Sequence, residues 1–148
     1  MEFDTKIVRG CSKPDPTTGA IIPPLYQTAT YVLEEVGRDK GFDYTRSSNP
    51  TRQELENHLA AIEGGEYAIS FSSGMASADS CMKLLVQGDH VVCCDDVYGG
   101  TRRLFDKVKR ENQNIEISYV DLSKENNWKG LIKDSTKMIW IETPSNPL

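Results

Sequence analysis

Apolar and polar positions fall into a regular pattern only from Asn49 onward. Asn49 suits a helix N-cap and Pro50 the first helical position, while Leu55, Leu59 and Ile62 share one face and Gly64-Gly65 ends the run. Tyr67-Ala-Ile-Ser-Phe71 predicts a strand. Ser72-Ser73-Gly74 then turns into a helix carrying Met75, Ala78, Met82 and Leu85, closed by Gly88. His90 to Cys94 predicts the next strand, followed by a loop through Gly100 and a helix with Leu104, Phe105 and Val108. Ile115 to Val120 is a further strand, Trp128, Leu131 and Ile132 mark a short helix, and Lys137 to Glu142 a last strand. Short apolar strands alternating with helices imply an α/β fold, its parallel sheet covered on both faces.

The first forty or so residues show neither helical nor strand periodicity. Pro14, Pro16, Pro23 and Pro24 interrupt them, with Gly10 and Gly19 between. Yet Ile21, Ile22, Leu25, Tyr26 and Tyr31 are more apolar than a disordered tail carries. The segment reads as an extended arm, residues 1–48, wrapped over a partner surface and leading into a domain of residues 49–148.

Composition narrows the function. A chain of 148 residues suffices for one domain with a core. The net charge is −5, and Arg102, Arg103, Lys107, Lys109 and Arg110 alternate with Asp106 and Glu111, which predicts a solvated helix face rather than a nucleic-acid footprint. No apolar run approaches a membrane span and no leader precedes a cleavage site, so a soluble, cytoplasmic protein is expected. Cys11, Cys81, Cys93 and Cys94 show no CxxC or zinc spacing, which predicts buried free thiols in a reducing compartment.

Ligands of open α/β sheets bind beyond the carboxyl ends of the strands, here Ser72 to Met75, Asp95 to Gly100 and Thr143 to Pro147. Ser73-Gly74-Met75 could open a helix onto a phosphate, with Gly74 allowing close approach, or simply cap it. Neither a P-loop nor a dinucleotide fingerprint is present. Tyr98, followed by Gly99-Gly100, suits stacking on a planar ligand, proton transfer, or a plain surface turn. Asp95-Asp96 lacks the histidine or third carboxylate a metal would need, which leaves capping and loop hydrogen bonds. Tyr44 and Arg46 lie on one side of an extended segment, either as a phosphate clamp or with Arg46 paired to Asp43 or Glu54. His58 and His90 read as structural.

Four motifs, YTRSSNPTRQELE, SFSSGMASA, DDVYGGTRRLF and WIETPSNP, occur in order between Tyr44 and Pro147. From about Ile21 to Leu148 the sequence resembles the amino-terminal part of the Cys/Met-metabolism family of pyridoxal-phosphate enzymes, the cystathionine gamma-synthases, gamma-lyases and beta-lyases and the methionine gamma-lyases. The resemblance implies the fold-type-I transferase architecture: an arm and then the first half of the cofactor-binding domain, cut at its carboxyl end and leaving an incomplete sheet. It implies pyridoxal 5′-phosphate as cofactor and a homo-oligomer, a dimer of dimers. Gly74 and Met75 would hold the phosphate by their backbone amides, and Tyr98 would stack on the pyridine ring and assist proton movement. Tyr44 and Arg46 would reach across a dimer interface to the neighbouring subunit's phosphate, and Asn146 would lie near the ring's 3′-oxygen. The expected activity is gamma-replacement or gamma-elimination on cystathionine or activated homoserine. Methionine gamma-lyase is less favoured, because Gly100 stands where many of those enzymes carry cysteine; cystathionine beta-lyase is the other alternative.

The family's Schiff-base lysine, its pyridinium-pairing aspartate and its carboxylate-binding arginine all fall beyond Leu148. Lys137 leads into a strand and does not match that lysine. The chain is therefore expected to be a fragment, inactive alone and paired with the missing carboxyl-terminal part, or else a non-catalytic module that binds a partner.

Overall fold

The computed structural model describes residues 2–10 and 13–146. The chain divides into two compact units, residues 1–70 and 71–148.

In the first unit, helix α1 (Phe3–Arg9) and helix α2 (Pro50–Glu63) flank a long extended segment. Helix α2 has the predicted ends. The Asn49 side chain accepts the Thr51 N–H at 2.8 Å, and Gly64 closes the helix at φ 69°. Helix α1 was not expected in the arm. It is held from outside its own sequence: His58 on α2 meets the Lys6 and Ile7 carbonyls through Nε2 at 3.1 and 3.0 Å. Gly10 has a φ of +53°, and a Cβ there would stand 2.7 Å from the His58 ring, so both the turn and the contact need glycine.

The arm between the helices is extended and doubles back on itself. Thr30 bridges Tyr44 in antiparallel fashion, and the Thr45 N–H donates to the Ala29 carbonyl at 2.9 Å. Asn49 is buried and ties this excursion to the start of α2. Its amide donates to the Tyr26 carbonyl, the Tyr31 hydroxyl and the Thr45 hydroxyl at 3.1, 3.3 and 3.1 Å.

Tyr67 to Phe71 does not form the predicted strand. Tyr67 and Ile69 are exposed, and the Ser70 N–H and hydroxyl both donate to Glu56, at 2.9 and 2.8 Å. An alternating sequence becomes a strand only beside a partner, and among the described residues this one pairs with none.

The second unit is an open three-stranded parallel sheet. Strand β1 (His90–Cys94) lies between β2 (Glu116–Val120) and β3 (Thr136–Trp140). β1 is buried along its whole length, as its run of His-Val-Val-Cys-Cys requires of a central parallel strand. Helix α3 (Gly74–Met82) precedes β1, and helix α4 (Gly99–Leu104) follows it. A π-helical stretch (Phe105–Arg110) and the single turn α5 (Glu111–Gln113) continue α4. Met82, Val91, Cys93, Phe105, Ile115 and Ile117 make the core, with Trp140 edge-on to Phe105 at 5.2 Å. Burying each such side chain fully contributes roughly 1.5–3 kcal/mol.

Helix α3 stops at Met82, short of Leu85. The Leu84 and Leu85 N–H groups turn back to Cys81 and Met82, and Asp89 takes the Val86 N–H at 2.8 Å. The last predicted helix is a turn of α-helix, α6 (Glu125–Trp128), then a 3-10 turn (Lys129–Leu131), leaving Ile132 extended.

Cys93 and Cys94 are buried free thiols, and burial pushes the Cys93 thiol up to about 12, which makes it inert. Cys81, expected to be buried, is exposed on α3, because the face packed on the core is taken by Ala78 and Met82. Cys11 lies outside the described residues. Among the described residues no helix is long and apolar enough to cross a membrane.

Candidate functional site

The carboxyl ends of the parallel strands frame a pocket of about 510 Å3 in the second unit. Ser73, Gly74 and Met75 form one wall, Tyr98 and Thr101 another, and Trp140 and Glu142 a third. Sequence order alone does not place these groups together. The parallel topology brings Tyr98 and the Trp140–Glu142 wall together, because both lie at the carboxyl ends of strands pointing the same way, and the start of α3 completes the pocket.

The first wall is the start of α3. Ser73 is its N-cap, and its hydroxyl accepts the Ala76 N–H at 3.1 Å. The first two helical N–H groups, those of Gly74 and Met75, have no acceptor inside the helix. A Cβ at Gly74 would meet nothing within 4 Å, so the space beside its Cα is open. Exposed amides, helix dipole and free approach together make a cradle for an anion such as a phosphate.

The second wall turns on Tyr98, the residue before α4, which is 46% exposed. Its ring edge lies beside Gly100, whose open side Met75 also borders. A Cβ at Gly100 would stand 2.5 Å from Tyr98 Cε1 and 3.0 Å from Met75 Sδ. A planar face and a hydroxyl therefore border the space opposite the helix start.

Glu142 closes the third wall. Its carboxylate accepts from the Tyr98 N–H at 2.7 Å, the Thr101 hydroxyl at 2.8 Å and the Trp140 indole N–H at 3.0 Å. Burial resists its ionisation, but these three donors, the Tyr98 N–H foremost, outweigh it and hold the carboxyl below the ordinary glutamate range. Beyond Glu142, Ser145 donates to Asp96, which ties the 143–146 loop to the loop after β1. Asn146 is exposed in that loop.

Tyr44 and Arg46 belong to the first unit. Both are exposed, and the Arg46 guanidinium lies 5.1 Å from the Tyr44 ring centroid. Arg52 on α2 fixes the backbone on either side of Arg46, donating to the Thr45 carbonyl at 3.2 Å and the Ser47 carbonyl at 2.6 Å. The second unit thus brings Gly74, Met75 and Tyr98 to one pocket, and the first sets Tyr44 and Arg46 side by side.

Residues 4–148 match the sequence profile of the Cys/Met metabolism PLP-dependent enzymes. The chain belongs to this family. It is 43% identical over 145 residues to the cystathionine beta-lyase of Coxiella burnetii, covering 98% of this chain and 38% of that protein. It is 42% identical over 146 residues to a probable cystathionine gamma-synthase of Herpetosiphon aurantiacus, covering 99% of this chain and 46% of the relative. The crystal structure of metB from Corynebacterium glutamicum superposes with a TM-score of 0.93 at 42% identity, over 99% of this chain and 38% of that one. The chain thus spans less than half the length of these relatives, and its parallel α/β architecture is that of the Cys/Met-metabolism enzymes.

Two residues escaped the sequence reading of this family member. Glu142 lies inside WIETPSNP but has no pattern of its own, since two of its three donors, Tyr98 and Thr101, are 44 and 41 residues away. Arg52 lies inside YTRSSNPTRQELE, where a helix arginine looks like surface charge. The usable signal for Glu142 was a carboxylate just past a strand's carboxyl end.

Proposed function

We propose that the natural protein carrying this chain is a pyridoxal-phosphate-dependent enzyme of sulfur amino-acid metabolism, performing gamma-replacement or gamma-elimination on cystathionine or activated homoserine. The observation that carries this reading is the single pocket bordered by the Gly74-Met75 helix start and the Tyr98 ring. An anion cradle facing an aromatic plane suits a flat phosphorylated cofactor, and the space is ample for one.

In this reading the Gly74 and Met75 amides hold the cofactor phosphate. Tyr98 lies on the pyridine ring and holds or moves a proton at its hydroxyl. Asn146 stands near the ring's 3′-oxygen. Tyr44 and Arg46 reach the phosphate of a neighbouring subunit, the arginine as a bidentate fork, and Arg52 keeps Arg46 in register from behind. When bound, pyridoxal phosphate supplies an electron sink for negative charge at the substrate's α carbon. Residues 1–48 serve as the arm and 49–148 as the first half of the cofactor-binding domain. A cytoplasmic homo-oligomer, a dimer of dimers, completes the proposal, with the remaining catalytic groups on the carboxyl-terminal part of the polypeptide.

The second reading is beta-elimination, favoured by the Coxiella burnetii relative named as a cystathionine beta-lyase. Incubating the natural full-length protein with cystathionine separates the two. With uptake of water, cleavage at the γ carbon releases cysteine, 2-oxobutanoate and ammonia; cleavage at the β carbon releases homocysteine, pyruvate and ammonia. Formation of cystathionine from activated homoserine and cysteine identifies gamma-replacement. No turnover in any of these assays contradicts the proposal.

A further inference from the structure

Glu142 lines the pocket without touching the space assigned to the cofactor phosphate, yet its carboxylate is heavily engaged. Its two oxygens take three hydrogen bonds, and each donor comes from a different part of the wall. Tyr98 lies in the turn after β1, Thr101 in the first turn of α4, and Trp140 at the end of β3. The Glu142 N–H donates in turn to Cys94 Sγ at 3.4 Å, which anchors the residue to the end of β1.

Among the described residues, Glu142 is the side chain that holds the backbone N–H of Tyr98. Its hydroxyl caps no helix, and its carbonyl accepts only the ordinary helical bond from Arg102, at 3.0 Å. The ring edge sits where a Cβ on Gly100 would overlap it. Two devices therefore fix this ring: a carboxylate gripping its main chain, and a glycine that leaves room for its edge.

We infer that Glu142 is a positioning residue that seats Tyr98 against the bound cofactor, and that it acts through Tyr98 rather than on the substrate. The inference rests on the pyridoxal-phosphate reading of the pocket. A carboxylate whose oxygens already accept three donors is a poor proton acceptor for a substrate, whereas it is a firm anchor for a backbone N–H. A glutamine cannot replace it. Its one carbonyl oxygen serves fewer donors, and its NH2 group turns toward a donor that needs an acceptor.

The test is a double-mutant cycle in the natural full-length protein loaded with pyridoxal phosphate, using Glu142→Gln, Tyr98→Ala and both together. Two quantities are followed: turnover, and the visible circular dichroism of the bound cofactor, which reports its asymmetric seating. Glu142→Gln alone is expected to lower turnover about tenfold, the worth of one charge-assisted hydrogen bond, and to weaken the dichroic band. With Tyr98 already alanine, the same change is expected to alter either quantity by less than about twofold, because the group it positions is gone. An undiminished loss in the Tyr98→Ala background overturns the inference, as does a normal band in Glu142→Gln. If Glu142→Gln does not fold, Glu142→Asp, which keeps the charge but withdraws it from the Tyr98 N–H, carries the same comparison. A wild-type protein that shows no cofactor band at all contradicts the pyridoxal-phosphate reading instead, and is distinguished by that.

Discussion

Gly100 leaves no room for a side chain beside the Tyr98 ring. A methyl group at Gly100 would overlap the Tyr98 ring edge and press on Met75. Gly100→Ala is expected to fold normally yet lower kcat/KM by about 10- to 100-fold, since a misplacement on the order of 1 Å costs about 10²-fold. Steady-state kinetics beside a melting curve checks this. Tyr98→Phe keeps the ring and removes only the hydroxyl, so cofactor retention should persist while turnover falls by about 10²-fold; unchanged turnover would remove the proton role. Arg46→Ala should speed loss of pyridoxal phosphate on dialysis, and so, more weakly, should Arg52→Ala through the Thr45 and Ser47 carbonyls. At this scale Tyr98, Gly74 and Arg46 stood out as candidates because they lie inside the family motifs, while their local sequence alone left capping, surface-turn and ion-pair readings open. Glu142 did not, because an acceptor is defined by its donors, and those converge only in the folded sheet.

At the scale of elements, the ends of α2 could be read from sequence and α1 could not. Asn49, Pro50 and Gly64 act locally, within a turn of themselves. Helix α1 depends on His58, some fifty residues away. Tyr67 to Phe71 was misread for the opposite reason, since its alternation promises a partner that the described residues do not contain. Asn49→Ala removes both a cap and the three donations that moor the arm, and is expected to cost about 1–3 kcal/mol, measurable by denaturant unfolding. His90 is the corresponding device in the sheet. It is fully buried at the start of β1, with Nδ1 2.7 Å from the Thr136 hydroxyl on β3 and Nε2 2.9 Å from the Ser118 hydroxyl on β2. Burial, and then the Lys133 charge, lower its pKa from 6.5, with Glu116 opposing. The unfolded chain therefore takes up the extra proton first as pH falls through 6.5. Stability is full above that value and declines as pH drops toward the folded-state pKa. The melting temperature should fall between about pH 7 and pH 5.5, and less so in His90→Gln; an equal fall in both would exclude His90 as the cause.

At the scale of the whole molecule, the exposed apolar surface stands out. Ile139 and Ile141 lie on and beyond β3, a strand bonded to one neighbour only among the described residues, and Tyr67 and Ile69 are more exposed still. Surface of this kind marks a place where more protein packs, in keeping with a chain that spans less than half of its relatives' length. Produced alone, the 148-residue chain is expected to bind hydrophobic dyes and to aggregate. A monodisperse monomer in light scattering would contradict this.

The most direct measurement is the cofactor content of the natural full-length protein after extensive dialysis, read by visible absorption and mass spectrometry. About one pyridoxal phosphate per polypeptide is expected, released more readily in Tyr98→Ala. A protein that emerges colourless and does not take up added pyridoxal phosphate would contradict the pyridoxal-phosphate reading, whatever its fold.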